Sequence, residues 1–225
     1  MKKLLCALLA VPCLLSGSVL YNDPGGLGDF TGGVGSLDIS SVVVDSDGTT
    51  LWFTIYLGGD PVAQNWYNYY VGIAKDGLLG GGNLNGPGGW GKNIQMSVGG
   101  MDYFIGAYPY WSGGFNLLSW TGSSWSSVYY NTATTTSSSV TIPVPLAALG
   151  MGIGSGFTFD VWTSTSGSDT VLDALSDSTS RWWNSDPFDT GANGLYFLVP
   201  EPGALSIAGV ALALVAAAQL RRRGL

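Results

Sequence analysis

Two apolar runs joined by a turn decide the fold of this chain: Leu37-Asp38-Ile39-Ser40-Ser41-Val42-Val43-Val44, then Asp45-Ser46-Asp47-Gly48, then Leu51-Trp52-Phe53-Thr54-Ile55-Tyr56-Leu57. Both runs are rich in β-branched and aromatic residues, which favour strands. The Asp and Gly residues between them are typical of turns. The stretch therefore predicts a β-hairpin.

The same pattern continues on both sides of this hairpin. Short apolar or alternating runs, separated by Gly, Asn, Asp and Ser, occur at residues 67–74, 94–98, 101–107, 115–120, 125–130, 140–144, 157–163 and 195–199. Residues 145–150 predict a short helical turn that ends at Gly150, and residues 171–175 predict a second one. So many short strands predict an all-β fold, a single antiparallel β-sandwich of the jelly-roll or immunoglobulin-like kind at residues 19–198.

Three segments of this sandwich resemble a known group of domains. They are Asp47-Gly48-Thr49-Thr50-Leu51-Trp52-Phe53-Thr54-Ile55, then Gly100-Met101-Asp102-Tyr103-Phe104-Ile105-Gly106, then Thr141-Ile142-Pro143-Val144-Pro145-Leu146-Ala147-Ala148-Leu149-Gly150. Their order is similar to that in family-nine carbohydrate-binding and DOMON-like β-sandwich domains. The resemblance implies the fold more directly than it implies a ligand.

The charge of the body excludes several classes of partner. Residues 19–198 carry Lys75, Lys92 and Arg181 against fourteen aspartates, a net charge of about −11. Such a surface repels nucleic acid, whose binding needs clustered Lys and Arg. The chain has no histidine, which excludes Ser-His-Asp catalysis and histidine-bound zinc or iron.

Residues 1–18 predict a secretory signal peptide. Lys2 and Lys3 precede an apolar stretch at residues 4–15, and Ser16-Gly17-Ser18 offers small residues for cleavage before Val19. Both cysteines, Cys6 and Cys13, lie inside this segment, so the exported body has no disulfide.

The other end of the chain predicts a transmembrane helix. An apolar run at residues 204–220 is about 25 Å long as a helix, within the range of membrane spans. A buried C-terminal helix is the alternative interpretation. The run is preceded by Val199, Pro200, Glu201 and Pro202, and it is followed by Arg221, Arg222 and Arg223, which would stop transfer through the membrane and stay cytoplasmic.

This order of motif, apolar span and arginine cluster in residues 199–225 resembles the PEP-CTERM sorting signal. The resemblance implies that the partner is an exosortase, that the helix holds the protein transiently in the inner membrane, and that cleavage occurs near the Pro-Glu-Pro motif. The body would be periplasmic first, and then at the cell surface or extracellular. Glu201 would be a recognition residue.

Aromatic residues near Gly- and Asn-rich loops are the candidate ligand-binding residues. Flat rings with amide neighbours suit stacking on sugars, and we predict a carbohydrate-binding surface at Trp66, Trp90, Tyr110 and Trp111. The alternative is that the aromatic residues fill the core. The alternating sets Tyr67, Tyr69 and Val71, and Trp52, Thr54 and Tyr56, fit that second interpretation.

The aspartates offer two further hypotheses. Asp45 and Asp47 could bind calcium, although they also suit a tight turn, and Asp169, Asp173 and Asp177 recur every four residues as on one face of a helix. A glycoside hydrolase could use Asp160 and Asp102 as a carboxylate pair.

The sequence thus predicts an exported, non-catalytic surface or matrix protein that binds exopolysaccharide. A purely structural surface protein, glycosylated in stretches such as residues 132–139, is the alternative, and an Asp-dependent hydrolase is a further one. No cofactor is predicted apart from calcium.

Overall fold

The hairpin predicted from residues 37–57 forms the centre of one sheet in the computed structural model of this chain. β2 (Ile39–Ser46) pairs antiparallel with β3 (Thr50–Leu57), and Val44 lies opposite Phe53. The structure describes residues 17–28, 34–63, 66–75, 82–88, 94–96, 99–110, 113–165, 171–176, 188–189 and 195–198. The predicted signal peptide lies almost wholly outside these ranges, and the predicted sorting signal at residues 199–225 lies outside them altogether.

Sheet A has five strands in the order β1-β2-β3-β10-β9. The three strands added to the hairpin are β1 (Val19–Asn22), β9 (Thr134–Thr135) and β10 (Ser139–Pro145). All neighbours in this sheet are antiparallel.

Sheet B has the order β12-β11-β4-β6-β7-β8, and β14 pairs with β11 beside β12. Its strands are antiparallel. They are β4 (Tyr67–Lys75), β6 (Tyr103–Tyr108), β7 (Gly114–Trp120), β8 (Trp125–Thr132), β11 (Gly156–Thr165), β12 (Val171–Ala174) and β14 (Leu195–Leu198). A short parallel pair joins β5 (Ile94–Gln95) to β13 (Phe188–Asp189).

The two sheets enclose the main core, which confirms the prediction of an all-β sandwich. Phe53 of sheet A meets Phe157 and Phe159 of sheet B, with ring centroids 6.3 Å and 5.5 Å apart. Tyr67, Tyr69 and Val71 contribute to the same core, as the alternation predicted. In the described residues, no helix is long and apolar enough to cross a membrane.

The prediction that Trp52, Thr54 and Tyr56 face the core is wrong. Leu51, Phe53, Ile55 and Leu57 are the buried residues of β3, and the side chain of Tyr56 is 41% exposed. Both alternating sets of this strand are apolar enough to be buried, so alternation alone does not decide which one faces the partner sheet.

A second cluster of buried side chains covers part of the outer face of sheet B. Tyr70, Phe104 and Trp162 of the sheet pack there against Ile94, Met96 and Met101 of the chain that precedes β6. Gly72 lies beneath this cluster, and a Cβ added to it would lie 2.7 Å from Met101 Sδ and 2.8 Å from the Trp162 ring. The glycine is therefore required by the close approach of the indole to the sheet.

One of the two predicted helical turns is present. A 3₁₀ helix spans Leu146–Leu149 and ends at Gly150, whose φ is 56°. The other prediction is wrong, because residues 171–174 form strand β12. Asp173 consequently does not lie on a helix, and its buried Oδ2 accepts a hydrogen bond of 2.6 Å from the Ile39 amide. Asp169 and Asp177 lie outside the described residues.

The chain passes from one sheet to the other at Ala133. β8 is the strand at one end of sheet B, and β9, which begins directly after Ala133, belongs to sheet A. The Ala133 side chain is buried, and its amide donates a hydrogen bond to the Gly113 carbonyl. The two sheets are thus joined covalently along this side of the sandwich.

Candidate functional site

Two of the four predicted sugar-binding residues lie at one end of sheet B. Trp66 immediately precedes β4 and is 46% exposed, and Tyr110 follows β6 and is half-buried. Because Tyr69 of β4 pairs with Ala107 of β6, the start of one strand lies beside the end of the other. Trp90 and Trp111 lie outside the described residues.

Tyr70 is a buried tyrosine of β4 whose pKa is influenced by the nearby Tyr110. Burial is the main cause that raises the pKa of Tyr70; hydrogen bonds with Ser164 and Asn68 lower it in part, and the neighbouring Tyr110 makes a smaller contribution that raises it. The Tyr70 hydroxyl forms a hydrogen bond of 3.0 Å with Ser164 Oγ. Tyr70 is therefore a neutral, buried tyrosine in the neighbourhood of the half-buried Tyr110.

The structure also reveals a row of aromatic and amide side chains along β6, β7 and β8, which we call the β6–β8 stripe. It is defined by Tyr108, Asn116, Trp120, Trp125, Ser127 and Tyr130. Trp120 pairs with Trp125 across the β7–β8 hairpin, with ring centroids 5.5 Å apart. Asn116, four residues before Trp120 in β7, pairs with Tyr130. At about 3.3 Å per residue, these two pairs are about 13 Å apart.

Polar atoms lie between the rings of the stripe. Ser127 Oγ donates a hydrogen bond of 2.6 Å to Asn116 Oδ1, so the Asn116 amide nitrogen keeps its own donors for other partners. Burial raises the pKa of Tyr108, and the nearby Tyr130, to which it is hydrogen-bonded, raises it further. The Tyr108 hydroxyl therefore stays protonated at neutral pH, as a donor and acceptor without charge.

The stripe belongs to a long uncharged part of the chain. Between Asp102 and Asp160 the sequence contains no Asp, Glu, Lys or Arg. The side chain of Tyr130 is 56% exposed, and Trp120 and Trp125 are half-buried. The stripe therefore offers flat rings, hydroxyls and an amide to solvent on a protein that is otherwise strongly acidic.

Sequence reasoning missed Tyr130 because of a β-bulge. A strict alternation from Trp125 places Ser127 and Tyr129 on the same face, but the register of β7 and β8 shifts between Leu117 and Leu118. Tyr129 consequently turns inward against Phe115, with ring centroids 6.0 Å apart, and Tyr130 turns outward. The β7–β8 hairpin itself was predicted, but no residue of the strands signals the bulge.

The predicted calcium residues lie in the turn between β2 and β3. Asp47 Oδ1 accepts hydrogen bonds from the Thr49 and Thr50 amides, both 2.8 Å long, and from Thr49 Oγ1. These bonds lower the pKa of Asp47, and the bond from the Thr50 amide has the largest effect. Asp45 Oδ1 accepts a bond from the Ser46 amide. Within the described ranges, no group of three or more acidic, cysteine or histidine residues is placed to hold a metal ion. Calcium at Asp45 and Asp47 stays a prediction.

The two aspartates of the hydrolase hypothesis lie on either side of β4. Asp160 is fully buried, its Oδ1 accepts a 2.7 Å hydrogen bond from the Val161 amide, and Ser176 Oγ donates to its Oδ2. Asp102 Oδ2 accepts a 2.8 Å hydrogen bond from the Lys75 amide. Both carboxylates thus bind backbone or hydroxyl groups of the sandwich. A hydrolase role for this pair stays a hypothesis.

Comparison of the sequence with protein-family models and with curated proteins finds no match.

Proposed function

We propose that this is an exported surface or extracellular-matrix protein whose β-sandwich binds exopolysaccharide without catalysis. The observation that carries the proposal is the uncharged β6–β8 stripe, in which exposed Tyr130 and half-buried Trp120 and Trp125 alternate with Asn116 and Ser127. The jelly-roll or immunoglobulin-like topology, the signal peptide and the C-terminal transmembrane helix belong to the same proposal.

The chemistry of the stripe favours a neutral polyhydroxylated chain. Tyrosine and tryptophan rings provide large, rigid contact areas at a low cost in conformational entropy. In the stripe the tyrosine hydroxyls supply hydrogen-bonding groups, whereas Trp125, whose Nε1 is buried, contributes only its ring. The amide and hydroxyl groups between the rings suit sugar hydroxyls as donors and acceptors. The net charge of the body, about −11, disfavours polyanions. The extended shape of the stripe fits several consecutive sugar units.

We expect Tyr130→Ala to weaken the binding of a neutral polysaccharide by about tenfold, because the substitution removes the most exposed ring of the stripe. Affinity electrophoresis of the full-length chain in detergent, through gels containing different neutral polysaccharides, measures the dissociation constant. The matched control is Tyr56→Ala, since Tyr56 is also an exposed tyrosine but lies on sheet A. Failure of the wild type to be retarded by any polysaccharide, or equal losses in the two variants, would contradict the proposal.

The export and sorting part of the proposal rests on the sequence of the two ends. We expect residues 199–225, fused to an exported reporter, to be cleaved near Pro200-Glu201-Pro202 in a host that has the matching exosortase. Mass spectrometry of the membrane and secreted fractions measures the new C-terminus. The control fusion replaces these three residues by alanine and should remain uncleaved in the membrane. An uncleaved native fusion would show that the segment is no sorting signal.

A second candidate function, a structural surface protein that carries glycans, is favoured by one group of side chains. Six hydroxyl residues around β9 are exposed to solvent: Thr132, Thr134, Thr135, Thr136, Ser137 and Ser138. Glycosylation needs such accessible hydroxyls. Retention of the wild type by polysaccharide separates the first function from the second.

A further inference from the structure

β8 is an edge strand with an unusual composition. Within the residues that the structure describes, it pairs on one side with β7 and ends the order of sheet B on the other. It is eight residues long, whereas the edge strands β1, β12 and β14 have four each and β9 has two. A long edge presents a row of backbone N–H and C=O groups that can pair with another strand.

Most proteins protect such an edge with charged side chains or proline, and β8 has neither. Its sequence, Trp125-Ser126-Ser127-Val128-Tyr129-Tyr130-Asn131-Thr132, combines β-branched and aromatic residues with small hydroxyl residues. Val128 is 48% exposed and Tyr130 is 56% exposed. The β-bulge opposite Leu117 and Leu118, where Val128 has no partner on β7, is the one protective feature of this edge in the described structure.

We propose that β8 is the self-association edge of the protein and that its partner is the β8 strand of a second copy, paired antiparallel about a twofold axis. Charge and length together select this edge, because the edge strand β9 lies in the same uncharged stretch but has only two residues. Two bodies of about −11 each repel one another over most of their surfaces, and the uncharged stretch between Asp102 and Asp160 is where the two chains approach without that cost. Pairing joins the two B sheets into one continuous sheet.

The association is weak and depends on concentration. A single pair of strands buries much less surface than a standard stable interface of about 1,600 Å². The inference does not require sugar binding, because it rests on backbone groups at the edge and the stripe rests on side chains of the outer face.

The test is sedimentation equilibrium of the full-length chain in density-matched detergent over a range of concentrations. We expect the wild type to show a monomer–dimer equilibrium and Val128→Lys to weaken it by about tenfold or more, because the twofold axis brings two lysines close together. The matched control is Ile153→Lys, since Ile153 is 47% exposed but lies in the turn after the Leu146–Leu149 helix. This control should associate like the wild type.

A second measurement keeps the inference testable if Val128→Lys does not fold. Hydrogen exchange of the wild type should slow with rising concentration at β8 amides and stay constant at those of β1. A wild type that remains monomeric at all concentrations would overturn the inference. Equal association of both lysine variants would also overturn it, by assigning the contact to another part of the chain.

Discussion

Phe53→Ala is expected to lower the free energy of unfolding by about 3–5 kcal/mol. The Phe53 side chain is fully buried between the sheets, and its ring contacts Phe157 and Phe159 from the opposite layer. Truncation removes these contacts and leaves a cavity that rigid neighbouring strands fill only in part. Equilibrium unfolding in urea, followed by tryptophan fluorescence, measures the change.

Tyr56→Ala is the control on the same strand. Tyr56 is 41% exposed on the outer face of sheet A, so its loss should change stability by no more than about 0.5 kcal/mol. The pair tests which face of β3 is the core. If Tyr56→Ala destabilised the protein more than Phe53→Ala, the orientation of β3 described above would be wrong.

Gly72→Ala is expected to lower the free energy of unfolding by about 1–3 kcal/mol, although it adds only one methyl group. The new Cβ would lie 2.8–2.9 Å from two ring carbons of Trp162 and 2.7 Å from Met101 Sδ. Met101 Sδ belongs to a flexible side chain and can move, but the fully buried indole cannot do so without displacing Tyr70 or Phe104. Thermal unfolding followed by circular dichroism measures the effect.

Gly152→Ala is the matched control for this substitution. No heavy atom lies within 4 Å of a Cβ built on Gly152 outside its chain neighbours, and its φ is not in the left-handed region. The substitution should therefore be neutral, or should stabilise by about 0.4–1 kcal/mol through the unfolded state. Equal destabilisation by both substitutions would show that the Trp162 indole does not press on Gly72.

Local signals in the sequence identified most of the strands. Asp45-Ser46-Asp47-Gly48 between two apolar runs predicted the β2–β3 hairpin, and the turn after Trp120 predicted the β7–β8 hairpin. Proline followed by apolar residues and Gly150 predicted the 3₁₀ helix, because a left-handed C-terminal residue favours glycine. These features depend on residues close together in the chain, which is why the sequence contains enough information to place them.

Features that depend on distant contacts were not predictable. Residues 171–174 form a strand because they pair with β11, and nothing within the segment indicates that partner. The face of β3 that is buried is selected by Phe157 and Phe159, more than a hundred residues away. The β6–β8 stripe likewise depends on the bulge at which the pairing register of β7 and β8 shifts by one residue.

The passage of the chain through Ala133 has a mechanical consequence. Because β8 and β9 are one continuous run of backbone shared by two layers, a force that slides one layer past the other is resisted there by covalent bonds. The hydrogen bonds of β8 with β7 and of β9 with β10 then carry the load together. We expect this side of the sandwich to yield last under shear, and separation of the layers to start at the opposite margin.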